Sequence, residues 1–284
     1  VTRNIVSIDF EDWFHVCEVE HVLPRSRWDT YRSILDETTD WLLAELARRG
    51  TRATFFLVGY SAARNPELVR RVAREGHEIA YHGYDHEMVA PGDPERFRRD
   101  LRRGRDLLRG IAGGEVTGFR APQWSLGRAG PWAVDVLVEE GFAYDSSRVP
   151  LPIIGRPGFP ERVHTLAHSR GAGRLVEFPP LILRLPGVNV PAGGGWGLRC
   201  WPLTAILAKT RRLNRAGIPA TFFFHPAEFV SHRFLTKLPL AKRFVLSFAP
   251  RPTRRAWDFL FDHLEFGPMG EAAGTRLASG LEHP

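Results

Sequence analysis

LDETTDWLLAELARRGTRATFFLVGYSAARNPELVRRVAREGHEIAY, residues 35–81, alternates helical and strand patterns. Leu35, Thr38, Trp41, Leu42 and Leu46 recur at helical spacing until Gly50 stops the run. Ala53–Val58 (ATFFLV) is apolar without alternation, the pattern of a strand covered on both faces. Asn65-Pro66 is a cap followed by a first-turn proline, and Gly76 closes the helix it opens. Glu78–Tyr81 is a brief second strand. Helix, buried strand, helix, buried strand is the repeat of a parallel sheet with helices on both faces.

Working outward, the alternation continues. Upstream lies the apolar run Asn4–Phe10 (NIVSIDF). Downstream, Asp93-Pro94 opens an arginine-rich helix to about Leu108, and Gly118–Arg120 is a short strand. Trp132–Glu140 is a helix ended by Gly141, and Phe142–Asp145 is a strand. After about Pro150 the regularity stops, and residues 150–200 are rich in proline and glycine. Helix and strand return at Leu203–Arg215 and Ala220–Phe224, and a helical tail follows. The expected organisation is one α/β domain over residues 1–230, with an insertion at about 150–200. Residues 231–284 are expected as a helical extension packed on that domain. If the sheet closes into a barrel, its chemistry lies on the loops after the strands.

Composition narrows the function classes. Of 284 residues, 43% are hydrophobic and 25% charged, which excludes a disordered chain. Cys17 and Cys200 are too few for a disulfide scaffold or a cysteine-rich zinc module, though one bridge between them is possible. The net charge of +7 comes mainly from arginines spread over helices, such as Arg98, Arg99, Arg102 and Arg103. That spread reads as a solvated basic surface and not as a nucleic-acid groove. No apolar run reaches the roughly 18–20 residues of a membrane span. The sequence opens directly on a strand, without a charged-then-apolar leader, so a cytoplasmic location is the default and an exported form requires a trimmed leader. The oligomeric state is not legible.

The polar residues carry more information because of where they fall. The first strand runs into Asp9, Glu11, Asp12 and His15; the third ends at His82 and His86. The fourth delivers Arg120, the fifth Asp145, and the late TFFF strand His225. Carboxyl ends of neighbouring parallel strands lie together, so these side chains can share one cleft. Two imidazoles four residues apart can reach one ion, and IDFEDW supplies a carboxylate as third ligand, either Asp12 or Glu11. Asp is the usual ligand type, which favours Asp12; strand alternation puts Glu11 on the face of Asp9, which favours Glu11. Such a set leaves positions open for water and substrate, as hydrolytic metals need. Asp9, oriented by Arg120, suits a general base. His225 suits a general acid if Asp145 hydrogen-bonds one ring nitrogen. His15 and Trp13 are expected to line the cleft, and Trp124 to offer it a stacking face or to join the core.

In order, IDFEDW, HGYDH, RAP, YDSS and FFHP resemble the five motifs of polysaccharide deacetylases of the NodB-homology type, carbohydrate esterase family four. The resemblance runs from about Asn4 to Pro226. SIDFEDWFH, FRAPQWSL, LVEFPP and PAGGGWG are similar to its exosortase-associated branch, encoded with exopolysaccharide biosynthesis genes and carrying a C-terminal extension. The resemblance implies a distorted (β/α) barrel with one divalent metal, zinc first, with cobalt, nickel or manganese as alternatives. It implies removal of acetyl groups from N-acetylated sugars of a polysaccharide or its precursor. His82, His86 and an acid of IDFEDW would hold the metal, and Asp9, steadied by Arg120, would take a proton from the attacking water. The backbone N–H of Gln123 would hold the oxyanion, and His225, tuned by Asp145, would protonate the amine. One departure stands out: the family motif has two adjacent aspartates, whereas Phe10 and Glu11 separate Asp9 from Asp12 here. Two other functions fit the same residues less well: hydrolysis of a small amide or ureide, and carbohydrate binding by an inactive site.

Overall fold

The computed structural model describes residues 2–152, 154–230, 238–240, 242, 244 and 252–279. Seven consecutive buried residues, Asn4–Phe10, form β1. Then come α1 (Leu35–Arg48), β2 (Thr54–Leu57), α2 (Gly59–Arg64), α3 (Pro66–Arg74), β3 (Glu78–Tyr81) and α4 (Pro94–Ala112). β4 (Gly118–Phe119), α5 (Leu126–Ala129), α6 (Trp132–Glu139) and β5 (Tyr144–Asp145) continue the alternation. β6 (His164–Ala167), β7 (Arg174–Glu177), β8 (Ile182–Leu185) and β9 (Val188–Pro191) lead to α7 (Gly195–Cys200), α8 (Leu203–Arg215) and β10 (Thr221–Phe224). α9 (Thr253–His263), β11 (Phe266–Gly267) and α10 (Met269–Ser279) complete the described chain.

The main sheet runs β10-β1-β2-β3-β4-β5-β7-β6, with β11 beside the start of β1. All neighbours are parallel except β6 and β7. Two isolated backbone bridges, Pro180 to Thr221 and Gly194 to Phe223, span the gap between the chain after β7 and β10. The sheet is therefore a curled, incompletely closed barrel, as the motif order implied. Its register is level: Ile8 pairs Phe224, Tyr81 pairs Phe119, and Phe119 pairs Asp145. Asp9, His82, Arg120 and His225 consequently emerge at one rim.

Strand alternation divides the core. Val6, Ile8, Phe10, Phe55, Leu57 and Tyr81 pack under the helices, whereas Ile5, Phe56, Ala80, Tyr144 and Val176 fill the inside of the curl. Odd-numbered β1 residues thus face inward. The far end of the curl is plugged by α10: Met269 and Ala273 join the inner cluster, the Met269 N–H donates to Thr54 Oγ1 (2.7 Å), and the Gly270 N–H to Glu78 Oε2 (2.9 Å). Of the expected C-terminal extension, residues 231–237, 241, 243, 245–251 and 280–284 lie outside the described residues.

Several local expectations change. Asp93 caps α4 by accepting from the Arg96 N–H, but Asn65 donates to Ser61 O instead of capping α3. The 150–200 segment is not irregular throughout, because β7 is the next parallel strand of the sheet. Cys17 and Cys200 form no disulfide. The basic surface is largely ion-paired on α4, where Arg98 and Arg102 both reach Glu140 at 2.8 Å. Among the described residues no helix is long and apolar enough to cross a membrane.

Candidate metal centre and active site

Asp9 is carried into the barrel by β1, and a buried carboxylate there requires a partner. Arg120, 1% exposed, provides it: Nη1 lies 2.5 Å from Asp9 Oδ1 and 3.0 Å from Ser7 Oγ, and Nη2 donates to Ser146 Oγ at 2.9 Å. The guanidinium also lies 4.1 Å from the centre of the Phe56 ring. Asp9 Oδ1 is thereby fixed, and Oδ2 lies 3.6 Å from His225 Nε2.

His82 follows β3. Its Nδ1 is 2.6 Å from Arg120 O, a carbonyl that can only accept, so Nδ1 carries the proton and Nε2 keeps a lone pair. Burial lowers the His82 pKa to about 4, which leaves it neutral at pH 7, the state a metal ligand needs. His86 sits in a left-handed turn (φ 51°), with Nδ1 3.5 Å from Cys17 Sγ behind it. Its Nε2 lies 2.6 Å from Glu11 Oε2, and His82 Nε2 lies 4.0 Å from the same oxygen. Glu11 Oε2 is buried and has no aligned hydrogen-bond donor. Burial opposes its ionisation, but the charges of His86, His225 and His82 prevail and hold the carboxyl at about 2. Ligand atoms of Glu11, His82 and His86 all lie within 4.8 Å of one another. Two imidazole nitrogens and an orphaned carboxylate oxygen fit a divalent ion of the zinc type.

The favoured Asp12 is not in this cluster. Its Oδ1 accepts from the Ile34 N–H (2.9 Å) and its Oδ2 from Ser33 Oγ (2.6 Å), so it tethers the chain at the start of α1. Burial raises its pKa to about 6. The geometry corrects the assignment: Glu11, which the inward odd-numbered face of β1 favours, is the acid at the histidines.

Asp145, expected beside His225, does not reach it. Asp145 accepts from Ser147 Oγ, whose oxygen accepts the Ala121 N–H at 2.7 Å, so this acid braces the Arg120–Trp124 strap. It also pairs with Glu177 across the β5–β7 register. Burial raises the pKa of both acids. His225 has a different carboxylate: Glu228 Oε1 lies 2.7 Å from its Nδ1. Burial works against the charged ring, yet Glu228, Glu11 and Asp9 together push its pKa up to about 9. The signal for Glu228 in the sequence is its spacing in HPAE, three residues from His225.

Gln123 (φ 52°) and Trp124 (φ 51°) are both left-handed, a conformation that costs energy in non-glycine residues and gathers at functional sites. Gln123 Nε2 donates to Glu18 Oε2 at 3.4 Å. Trp124 is half-buried and meets Phe223 edge-on, 4.9 Å between centres. His15 does not line the cleft. Its Nδ1 accepts the Asp12 N–H at 2.9 Å, Trp28 packs edge-on 4.5 Å away, and burial lowers its pKa to about 3. Trp13 belongs to the same aromatic cluster and donates to Arg32 O.

Residues 27–130 match the family model described as polysaccharide deacetylase. Over those residues the chain is similar to that family. Residues 146–273 match a domain of unknown function, DUF3473. Asp9 and Glu11 precede both matches, while His225 and Glu228 fall within the second. A peptidoglycan-N-acetylglucosamine deacetylase of Bacillus cereus is 29% identical over 151 residues, 49% of this chain and 54% of that protein. A chitooligosaccharide deacetylase of Rhizobium leguminosarum bv. trifolii is 32% identical over 102 residues, 35% of this chain and 43% of that protein. The chain thus spans about half the length of these relatives, or less. A crystal structure of a candidate polysaccharide deacetylase from Mycobacterium smegmatis superimposes with a TM-score of 0.64 at 23% identity, covering 99% of this chain and 95% of that one. It shares the fold.

Proposed function

We propose that the chain is a metal-dependent N-deacetylase of N-acetylhexosamine units in a polysaccharide or its precursor. The observation that carries this reading is the convergence of Glu11, His82 and His86 beside the Asp9–Arg120 pair, with His225 Nε2 3.8 Å from Glu11 Oε1. Glu11 Oε2 and the two Nε2 atoms would hold a divalent ion, zinc first. Such an ion supplies Lewis acidity, making water a better nucleophile near neutral pH and polarising an amide carbonyl.

The protein does the rest. Arg120 keeps Asp9 Oδ1 occupied, which leaves Oδ2 to accept the proton of the attacking water. The Gln123 N–H is held in place by the strained strap and serves the developing oxyanion. His225 Nε2–H faces the same space and delivers its proton to the departing amine nitrogen. The names of the two relatives support an N-acetylglucosamine-type acetamide as substrate. SIDFEDWFH and PAGGGWG, which resemble the exosortase-associated branch, support an exopolysaccharide in particular.

The test is acetate release from an N-acetylglucosamine oligomer with and without added divalent metal. Metal-dependent release, abolished by His82→Ala and by Asp9→Asn, is expected. Turnover confined to small amides would move the substrate to that class, and sugar binding without turnover under any divalent ion would make the site a binding site.

A further inference from the structure

We infer that Glu228, clamped by Arg199, is the positioning residue that aims His225 into the site. This inference rests on the proposed function for its chemistry, but not for its geometry. Glu228 Oε1 takes His225 Nδ1 at 2.7 Å and the His225 backbone N–H at 3.3 Å. In return the Glu228 N–H donates to His225 O at 3.0 Å, so the HPAE turn folds its acid back under its own histidine. With Nδ1–H committed to this acceptor, Nε2 is the ring atom left to face Asp9 and Glu11. That is the service expected of Asp145, which the β5–β7 pairing holds elsewhere.

Arg199 is brought in from a distant part of the chain. Its Nη1 lies 3.3 Å from Glu228 Oε2, and both side chains are buried. A buried pair of this kind fixes geometry more than it adds stability. Arg199 lies on α7, directly after PAGGG, and those glycines allow its approach. A Cβ on Gly194 would stand 2.3 Å from Phe223 O, and one on Gly193 2.6 Å from Thr221 O. Only glycine lets this segment lie against β10, next to the strand end that carries His225. The glycine-rich motif therefore has a purpose in the site: it seats the arginine that holds the acid that holds the histidine.

The experiment combines three measurements on the full chain: metal content, kcat and KM for acetate release, and imidazole nitrogen NMR of 15N-histidine-labelled protein. The His225 signal is assigned by its loss in His225→Gln. Glu228→Ala is expected to keep metal content and KM while kcat falls roughly 10- to 100-fold. Its His225 Nδ1–H should lose the downfield shift that a hydrogen bond to a carboxylate gives it. If Glu228→Ala does not fold, Glu228→Gln keeps an acceptor but not its charge, and the Nδ1 proton should move upfield. An unchanged His225 signal, or a fall in kcat matched by loss of metal, overturns the inference. A wild-type protein without deacetylase activity sinks the proposed function alone, because the NMR comparison still decides what Glu228 does.

Discussion

At the end of β1 the inner face takes Asp9 and then Glu11, while Asp12 turns away to Ser33 and Ile34. Two acids adjacent in sequence thus have separable effects. Glu11→Gln should weaken divalent-metal affinity by about 10- to 100-fold, measured by calorimetric titration. Asp12→Asn should leave that affinity unchanged and cost about 1 kcal/mol of stability through weakened hydrogen bonds at the start of α1, seen as a lower urea midpoint. His225→Ala should slow turnover by roughly 100-fold or more while metal content stays at the wild-type level. At this scale the placement of Asp9, His82, Arg120 and His225 at one rim is legible because each lies at or just after the end of a strand, whereas His86 follows in a turn. Residue type favours Asp12 as the ligand, but alternation puts Glu11 on the face of Asp9, and the geometry follows alternation. Glu228 is signalled only by its spacing in HPAE, and Cys17 meets His86 through turns that no strand end announces.

The parallel core could be read from continuous apolar runs such as ATFFLV and TFFF, since only strands covered on both faces are so uniformly hydrophobic. β6 to β9 could not. Each has four residues, and nearby prolines and glycines mask any period. β7 nevertheless places Glu177 opposite Asp145. Asp145 Oδ2 and Glu177 Oε2 are buried without a donor, and one proton held between the acids supplies it. Both folded pKa values are raised, so the unfolded carboxyls ionise first, near pH 4. The stability of the pair is fully present below that pH and is lost as pH rises through the folded values. Glu177→Gln supplies an amide donor and removes the dependence. Its urea midpoint, relative to wild type, should therefore rise from pH 4 to pH 8, and parallel profiles would contradict the shared proton. On the other edge, Gly194→Ala forces α7 off β10 and should destabilise by roughly 1–3 kcal/mol, with kcat falling as well.

Among the described residues one curled sheet, with the separate β8–β9 hairpin beside it, takes strands from both matched regions. β1 pairs with β2 along Ser7–Phe10 and with β10 along Ile5–Ile8, and α10 plugs the end away from the site. A chain cut after Asp145 would expose one edge of β1 and lose His225, Glu228 and the plug. It should show no cooperative unfolding transition by circular dichroism. The motif order implied a distorted barrel, but the two single bridges that close it come from Pro180 and Gly194, in the segment whose period is weakest. The metal centre is the junction on which all scales depend, and diffraction from a zinc- or cobalt-loaded crystal at the metal absorption edge interrogates it directly. One anomalous peak about 2.0–2.2 Å from Glu11 Oε2, His82 Nε2 and His86 Nε2 is expected. A peak ligated by Asp12 in place of Glu11, or no peak at these residues with metal in excess, would contradict it.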